Sequence, residues 1–186
     1  MEKRKWVVLN YTLPTEPSRY RVATWRGLKK LGAVNIQQSM WVLGYNEGNY
    51  LALQKICQDI ESKNGEALLM ESVFFDENHE ERAIFLFNSV RDEEYTEFVD
   101  EGTKYLNDLK KEIAIEKFIF AELDEEEQEL QKLVSWYEKI NARDTFHALE
   151  GNTANEMLVQ IQKAFDEYSE LVYEYNNKLS YLCLSL

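Results

Sequence analysis

The sequence predicts an α+β fold in which a ferredoxin-like βαββαβ domain, residues 1–78, is followed by a second domain of long amphipathic α-helices, residues 79–186, packed on it. Two changes of period and one of charge predict this. Up to about Phe75, short β-rich apolar runs alternate with segments whose apolar residues recur every three or four positions, and from Arg82 onward only the helical spacing continues. Four strand-like and two helix-like runs in that order match the split βαβ arrangement, an antiparallel four-stranded sheet with both helices on one face. Charge divides the chain too: residues 1–45 hold eight Lys or Arg and two Glu, net +6, whereas residues 46–186 hold 13 Lys or Arg and 32 Asp or Glu, net −19.

The first strand is Trp6 to Tyr11, ended by a segment with two prolines, Pro14 and Pro17. Glu16 precedes a proline and is pushed out of the α region, so Pro17 is expected as the first helical residue, with Gly32 as the stop after Leu31. On this helix Tyr20, Thr24, Gly27, Leu28 and Leu31 share the packing face, and Arg19, Arg26, Lys29 and Lys30 share a cationic one. Ala33 to Ile36 and Met40 to Leu43 read as strands two and three around Gln37-Gln38-Ser39, with Gly44 to Asn49 as a loop. The second helix is expected from Tyr50 to Ser62 on the spacing of Leu53, Ile56, Cys57 and Ile60, stopped by Asn64-Gly65, and the fourth strand is Ala67 to Phe75. Both helices lie on one face of such a sheet, so the helical region is expected to cover the other.

In that region Tyr95, Phe98, Gly102, Tyr105, Leu109 and Ile113 form one helical stripe, and Leu130, Leu133, Tyr137 and Ile140 a second. The last helix is expected from about Ala154 to the C-terminus. Its stripe is Leu158, Ile161, Phe165, Tyr168, Val172, Tyr175, Leu179 and Leu182, with Thr153 and Glu156 as a capping box after a Gly151-Asn152 hinge. So regular a stripe reads as core or a helix-pairing seam.

A 45% hydrophobic and 13% aromatic composition is ample for a folded core. The chain has no apolar run long enough for a membrane helix and no signal-peptide pattern after Met1, so a cytoplasmic protein without a membrane partner is expected. Cys57 and Cys183 are far apart and read as reduced, packed thiols. His79 and His147 lie in separate polar segments without metal-ligand spacing and read as surface or capping residues. No nucleophile elbow, P-loop or dinucleotide fingerprint occurs, so no catalytic residue, metal or cofactor is expected. Glu122 to Glu129 has six acids in eight positions and reads as a solvated helix face, while Arg143-Asp144 reads as a helix-end ion pair.

Several segments together resemble a known family. Trp6-Val7-Val8-Leu9, Leu13-Pro14-Thr15-Glu16-Pro17-Ser18-Arg19, Trp25 to Ala33, Gln37-Gln38-Ser39 and Gly65-Glu66-Ala67 resemble the N-terminal domain of the chromate-resistance regulatory proteins called ChrB. The resemblance continues at Arg91-Asp92-Glu93-Glu94-Tyr95, Lys117 to Leu123 and Ala142-Arg143-Asp144, and so covers most of the chain. It implies transcriptional regulation of chromate efflux. In longer members this region precedes a second domain linked to chromate response, which is not expected within these residues. The first half is also similar to the ferredoxin-like domain of PaaX-type repressors and to small CRISPR-associated nucleases. In those nucleases an acidic residue at the end of the first strand holds a divalent cation. Asn10 stands there instead, and no carboxylate between Glu16 and Glu47 joins it, so the oxygen charge that magnesium needs is missing.

The expected function is therefore regulation, through DNA or phosphate association or through dimerisation. Candidate anion- and nucleic-acid-binding residues are Ser18, Arg19, Arg21, Arg26, Lys29 and Lys30, with Lys3, Arg4 and Lys5 nearby. Such cations neutralise backbone phosphates, but no recognition helix is present to read bases. Two alternatives stand beside this. The start of the first helix at Ser18 and Arg19 offers amide groups, a dipole and a guanidinium to a chromate-like oxyanion. Alternatively, the basic helix docks on the acidic helices of its own chain or of a second copy, making a non-catalytic interaction protein, with the tyrosine-rich last helix or a sheet edge pairing a homodimer.

Overall fold

A computed structural model describes residues 3–184, with side chains described as far as residue 178. The elements are β1 (Trp6–Thr12), α1 (Ser18–Leu31), β2 (Val34–Gln37), β3 (Met40–Gly44), α2 (Glu47–Glu61), β4 (Glu66–Ser72), α3 (Glu77–Ala114), α4 (Phe120–Asn141) and α5 (Gly151–Leu184). This is the ferredoxin-like order followed by long helices, an α+β fold. The chain divides into two compact units, Met1–Val90 and Arg91–Leu186. The division falls inside α3, later than the boundary expected after residue 78, because the first turns of α3 pack on the sheet.

In the first unit the sheet order is β2-β3-β1-β4, all antiparallel, with β1 central between β3 and β4. Successive strand residues point to opposite faces, so β1 divides into Val7, Leu9 and Tyr11 on one side and Trp6, Val8 and Asn10 on the other. Leu9 is opposite Trp41 and Leu69, which extends the first set across the sheet. α2 packs on β1 and β4 and against α1, burying Leu53, Cys57 and Ile60. α3 covers the part of the other face around Trp6, leaving Leu68 and Met70 of β4 exposed. Trp6 lies 5.7 Å from Phe87 and 5.5 Å from Phe74 between ring centroids, and its indole N–H donates to Glu80 at 2.9 Å. Ala83 and Phe87 are buried there with Trp6 and Val8.

Capping chemistry explains where the observed helix starts differ from the expected ones. Pro17 is the extended N-cap of α1 and Ser18 its first residue, while Gly32 ends the helix at φ 82°, a left-handed conformation that glycine adopts without a Cβ clash. α2 starts at Glu47 rather than Tyr50, because the Asn46 side chain accepts from the Asn49 amide at 2.8 Å. α3 starts at Glu77 rather than near Arg82, where Asp76 accepts from the Asn78 amide at 2.9 Å. α5 starts at Gly151, so Thr153 lies inside the first turn: the expected capping box and Gly151-Asn152 hinge are replaced by Asp92, which accepts from the Glu150 amide at 2.9 Å.

The second unit has one core, with Phe98, Tyr105 and Leu109 of α3, Ile140 of α4, and Ile161, Tyr168 and Val172 of α5. Phe98 sits 5.4 Å from Tyr137 and 5.9 Å from Trp136. α5 also clamps the turn between α3 and α4: Tyr168 donates its hydroxyl to the Lys117 carbonyl at 2.8 Å, and the Asn176 amide donates to the Phe118 carbonyl at 2.9 Å. The expected α5 stripe is buried at Ile161, Tyr168 and Val172, but Tyr175 is exposed, and Leu179 and Leu182 lie outside the described side chains.

Candidate nucleic-acid interface

The basic residues of α1 form two stripes. At about 100° per residue, Arg21, Trp25 and Lys29 align along one side of the buried Thr24–Leu28 edge, and Arg19, Arg26 and Lys30 project on the side away from it. The first stripe forms one wall of an open cleft of about 700 Å³. Tyr11 and Thr12 at the end of β1, Leu13 just after it, Trp41 of β3, and Asn35, Gln38 and Ser39 of the β2–β3 hairpin form the rest. All stand on the helix-covered face of the sheet or at its end, whereas Asn10, opposite Met40 and Leu68, points to the other face.

The cleft combines cations, aromatic faces and amides. Trp25 is 49% exposed although it is a large apolar residue, and it lies one helical turn from Arg21 on one side and from Lys29 on the other. Arg21 is held in place by donating to the Thr15 carbonyl at 2.9 Å. The Asn35 side chain donates to the Met40 carbonyl at 3.2 Å, which fixes the hairpin. Gln38 turns that hairpin at φ 35°, a conformation costly for a residue with a Cβ. No acidic side chain lines the cleft. The arrangement can hold a planar ring on an indole while pairing the attached negative charge with Arg21 and Lys29.

Of the six residues expected to bind anions, the cleft takes two, Arg21 and Lys29. Ser18, Arg19, Arg26 and Lys30 are exposed and lie outside this cleft, and the Arg19 guanidinium stacks 5.3 Å from the Tyr20 ring centroid. Trp25, Tyr11, Trp41, Asn35, Gln38 and Ser39 are additions from the structure. Trp25 had a sequence signal, since it sits four residues after Arg21 and four before Lys29. The strand residues had none, because their approach depends on sheet register.

Two charge clusters of the second unit refine readings of the sequence. Arg143 pairs with Glu94 at 3.3 Å, and its neighbour Asp144 accepts from the Ala148 amide at 3.1 Å and the Tyr95 hydroxyl at 3.3 Å. Arg91 is 2% exposed, with Nε 2.9 Å from the same Glu94 carboxylate, while its Nη1 meets no acceptor. Burial therefore lowers the Arg91 pKa, and Glu94 only partly offsets this. Nor is the acidic run of α4 wholly a solvated face. Glu126 is half-buried, and burial, reinforced by Glu122, Asp108, Glu112 and Glu129, pushes its carboxyl up to about 7. Burial likewise raises the Tyr168 hydroxyl to about 12 and pushes up the Cys57 thiol. Among the described residues no cluster of three His, Cys, Asp or Glu side chains is placed to hold a metal ion, and no helix is long and apolar enough to cross a membrane.

Residues 21–179 match the family model described as Protein ChrB, N-terminal. The chain belongs to this family. It is also 31% identical over 96 residues to Protein ChrB of Cupriavidus metallidurans, a match covering 52% of the chain and 29% of the relative. The relation is thus to ChrB, and the match spans less than a third of that relative's length. The matched region of the family includes the cleft residues Arg21, Trp25 and Lys29 as well as the Arg91–Glu94–Arg143 cluster.

Proposed function

We propose that this ChrB-family chain is a non-catalytic regulatory protein that associates with nucleic acid through the α1 cleft. The observation that carries the reading is the exposed indole of Trp25 between Arg21 and Lys29 in an acid-free cleft of about 700 Å³. Phosphates pair with the two cations, a base or sugar face rests on Trp25, and the amides of Asn35 and Gln38 are within the same cleft for a base edge. The second stripe, Arg19, Arg26 and Lys30, adds phosphate contacts outside the cleft. Because at most five phosphate contacts, two in the cleft and three outside it, supply the affinity, binding is expected to be modest and to weaken with salt by a slope of roughly one per contact.

The test is fluorescence anisotropy with labelled single-stranded and duplex oligonucleotides at several salt concentrations. Arg21→Gln with Lys29→Gln is expected to flatten the salt slope by about 2. Trp25→Ala is expected to weaken single-strand binding roughly 5- to 150-fold, the equivalent of about 1–3 kcal/mol for one stacked base. Absence of binding at low salt, or binding unchanged by all three substitutions, refutes the proposal. Chromate and sulfate serve as competitors, since the oxyanion reading at Ser18 and Arg19 rests on a first turn of α1 with no acidic residue and no side-chain cap. Displacement by chromate but not sulfate would favour that reading instead.

Self-association is a second reading favoured by one observation. β4 is an edge strand with Leu68 and Met70 exposed on one face. Light scattering should give a dimer mass that Leu68→Lys reduces to that of a monomer; a monomer for the unsubstituted chain would dismiss it.

A further inference from the structure

We infer that a second pocket, between β2 and the first turns of α3, binds a small amphipathic carboxylate, a compact apolar body with one anionic head. The pocket is independent of the α1 cleft, since its walls belong to the face of the sheet that carries Trp6 and Val8. Its volume is about 330 Å³. That is at the lower end of the range of ligand pockets, roughly 300–1,000 Å³.

Two features of the chain create the space. The ladder between β2 and β3 shifts register between Asn35 and Gln37, which leaves Ile36 out of the pairing while Gln37 stays opposite Met40. Across from them, His79, Arg82, Ala83 and Leu86 share one face of α3, and the buried one at its middle is only an alanine. A leucine or methionine there would project into the volume and take up part of it. The floor is apolar, from Ile36, Phe74, Ala83 and Leu86, and the polar groups, Gln37, His79 and Arg82, include no acid.

The ligand class follows from the cation at the rim. Arg82 makes no hydrogen bond or ion pair among the described residues. A free guanidinium fork beside an apolar floor selects a planar carboxylate over an ammonium or a neutral alcohol. The helix end itself is not the receptor, because the His79 and Glu80 amides already donate to the Asp76 carbonyl and the Asn78 amide to the Asp76 side chain. A bare inorganic anion would leave the apolar floor unused.

The experiment is calorimetry and ¹H–¹⁵N NMR of the whole chain with hexanoate, set against hexanol, hexylamine and sulfate. Hexanoate is expected to bind and to move the Trp6 indole N–H resonance, since Trp6 packs 5.5 Å from Phe74, a wall of the pocket. Arg82→Gln, at an exposed position, should weaken hexanoate about tenfold or more without changing the fold. Ala83→Met should abolish binding, with circular dichroism reporting whether the helix is retained. If hexanoate does not bind at millimolar concentration, if hexanol or hexylamine binds as well, or if Arg82→Gln leaves affinity unchanged, the inference is overturned. None of these outcomes touches oligonucleotide binding at Trp25, so the two sites stand or fall separately.

Discussion

Glu126→Gln should stabilise the protein at alkaline pH and leave it nearly unchanged at acidic pH. Glu126 is half-buried with Asp108 and Glu112 of α3 and Glu122 and Glu129 of its own helix close by, and its carboxyl is pushed from 4.5 to about 7. A raised carboxyl pKa means that the folded state holds the proton more tightly than the unfolded chain. Stability is therefore undiminished below about pH 4.5, falls as pH rises from there to about 7, and is constantly lower above. Undiscounted, a shift of that size corresponds to about 3 kcal/mol. Partial solvent access screens the neighbouring carboxylates and reduces this to about 1–2 kcal/mol. Glutamine keeps the shape and removes the charge. Thermal melts should show the variant melting roughly 2–8 °C higher at pH 8 and within about a degree at pH 4.5. Equal differences at both pH values, or a variant less stable at pH 8, would refute the assigned electrostatic strain.

Other substitutions probe the remaining elements. Gly65→Ala should cost about 3 kcal/mol in urea melts, because its Cβ would meet the Thr12 carbonyl oxygen at 2.6 Å and Ile60 at 2.7 Å. Asn46→Ala should lower stability by about 1 kcal/mol through loss of the α2 cap. Arg91→Met should be neutral or stabilising by about 1 kcal/mol, because it removes a buried guanidinium with an unmet N–H. Glu94→Gln should cost about 3 kcal/mol by leaving Arg91 and Arg143 without their shared carboxylate. The same urea melts check both, and a reversed order would overturn the charge assignment.

The order of strands and helices in the first unit was legible because each element carries its own period and Gly32 ends α1 where glycine is needed. The starts of α2, α3 and α5 were not, because their caps are single side chains in polar segments, and Asn46, Asp76 and Asp92 look alike in sequence whether or not they accept an amide. Asp92 makes the point most clearly: its amide partner is Glu150, brought to it only by the packing of α5. The basic helix was also legible, but the selection of Arg21 and Lys29 over Arg19 and Arg26 required knowing which edge of α1 faces the β2–β3 hairpin. Likewise Arg143 stood beside Asp144 in sequence, and its partner Glu94 came from the meeting of α3 with the end of α4.

Of the side chains lining the α1 cleft, only Trp41 belongs to the buried core. The others stand at half-buried or exposed positions, where substitution disturbs folding little. The lining of this groove can therefore be changed one side chain at a time while the scaffold beneath stays the same, so its chemistry is separable from the stability of the fold.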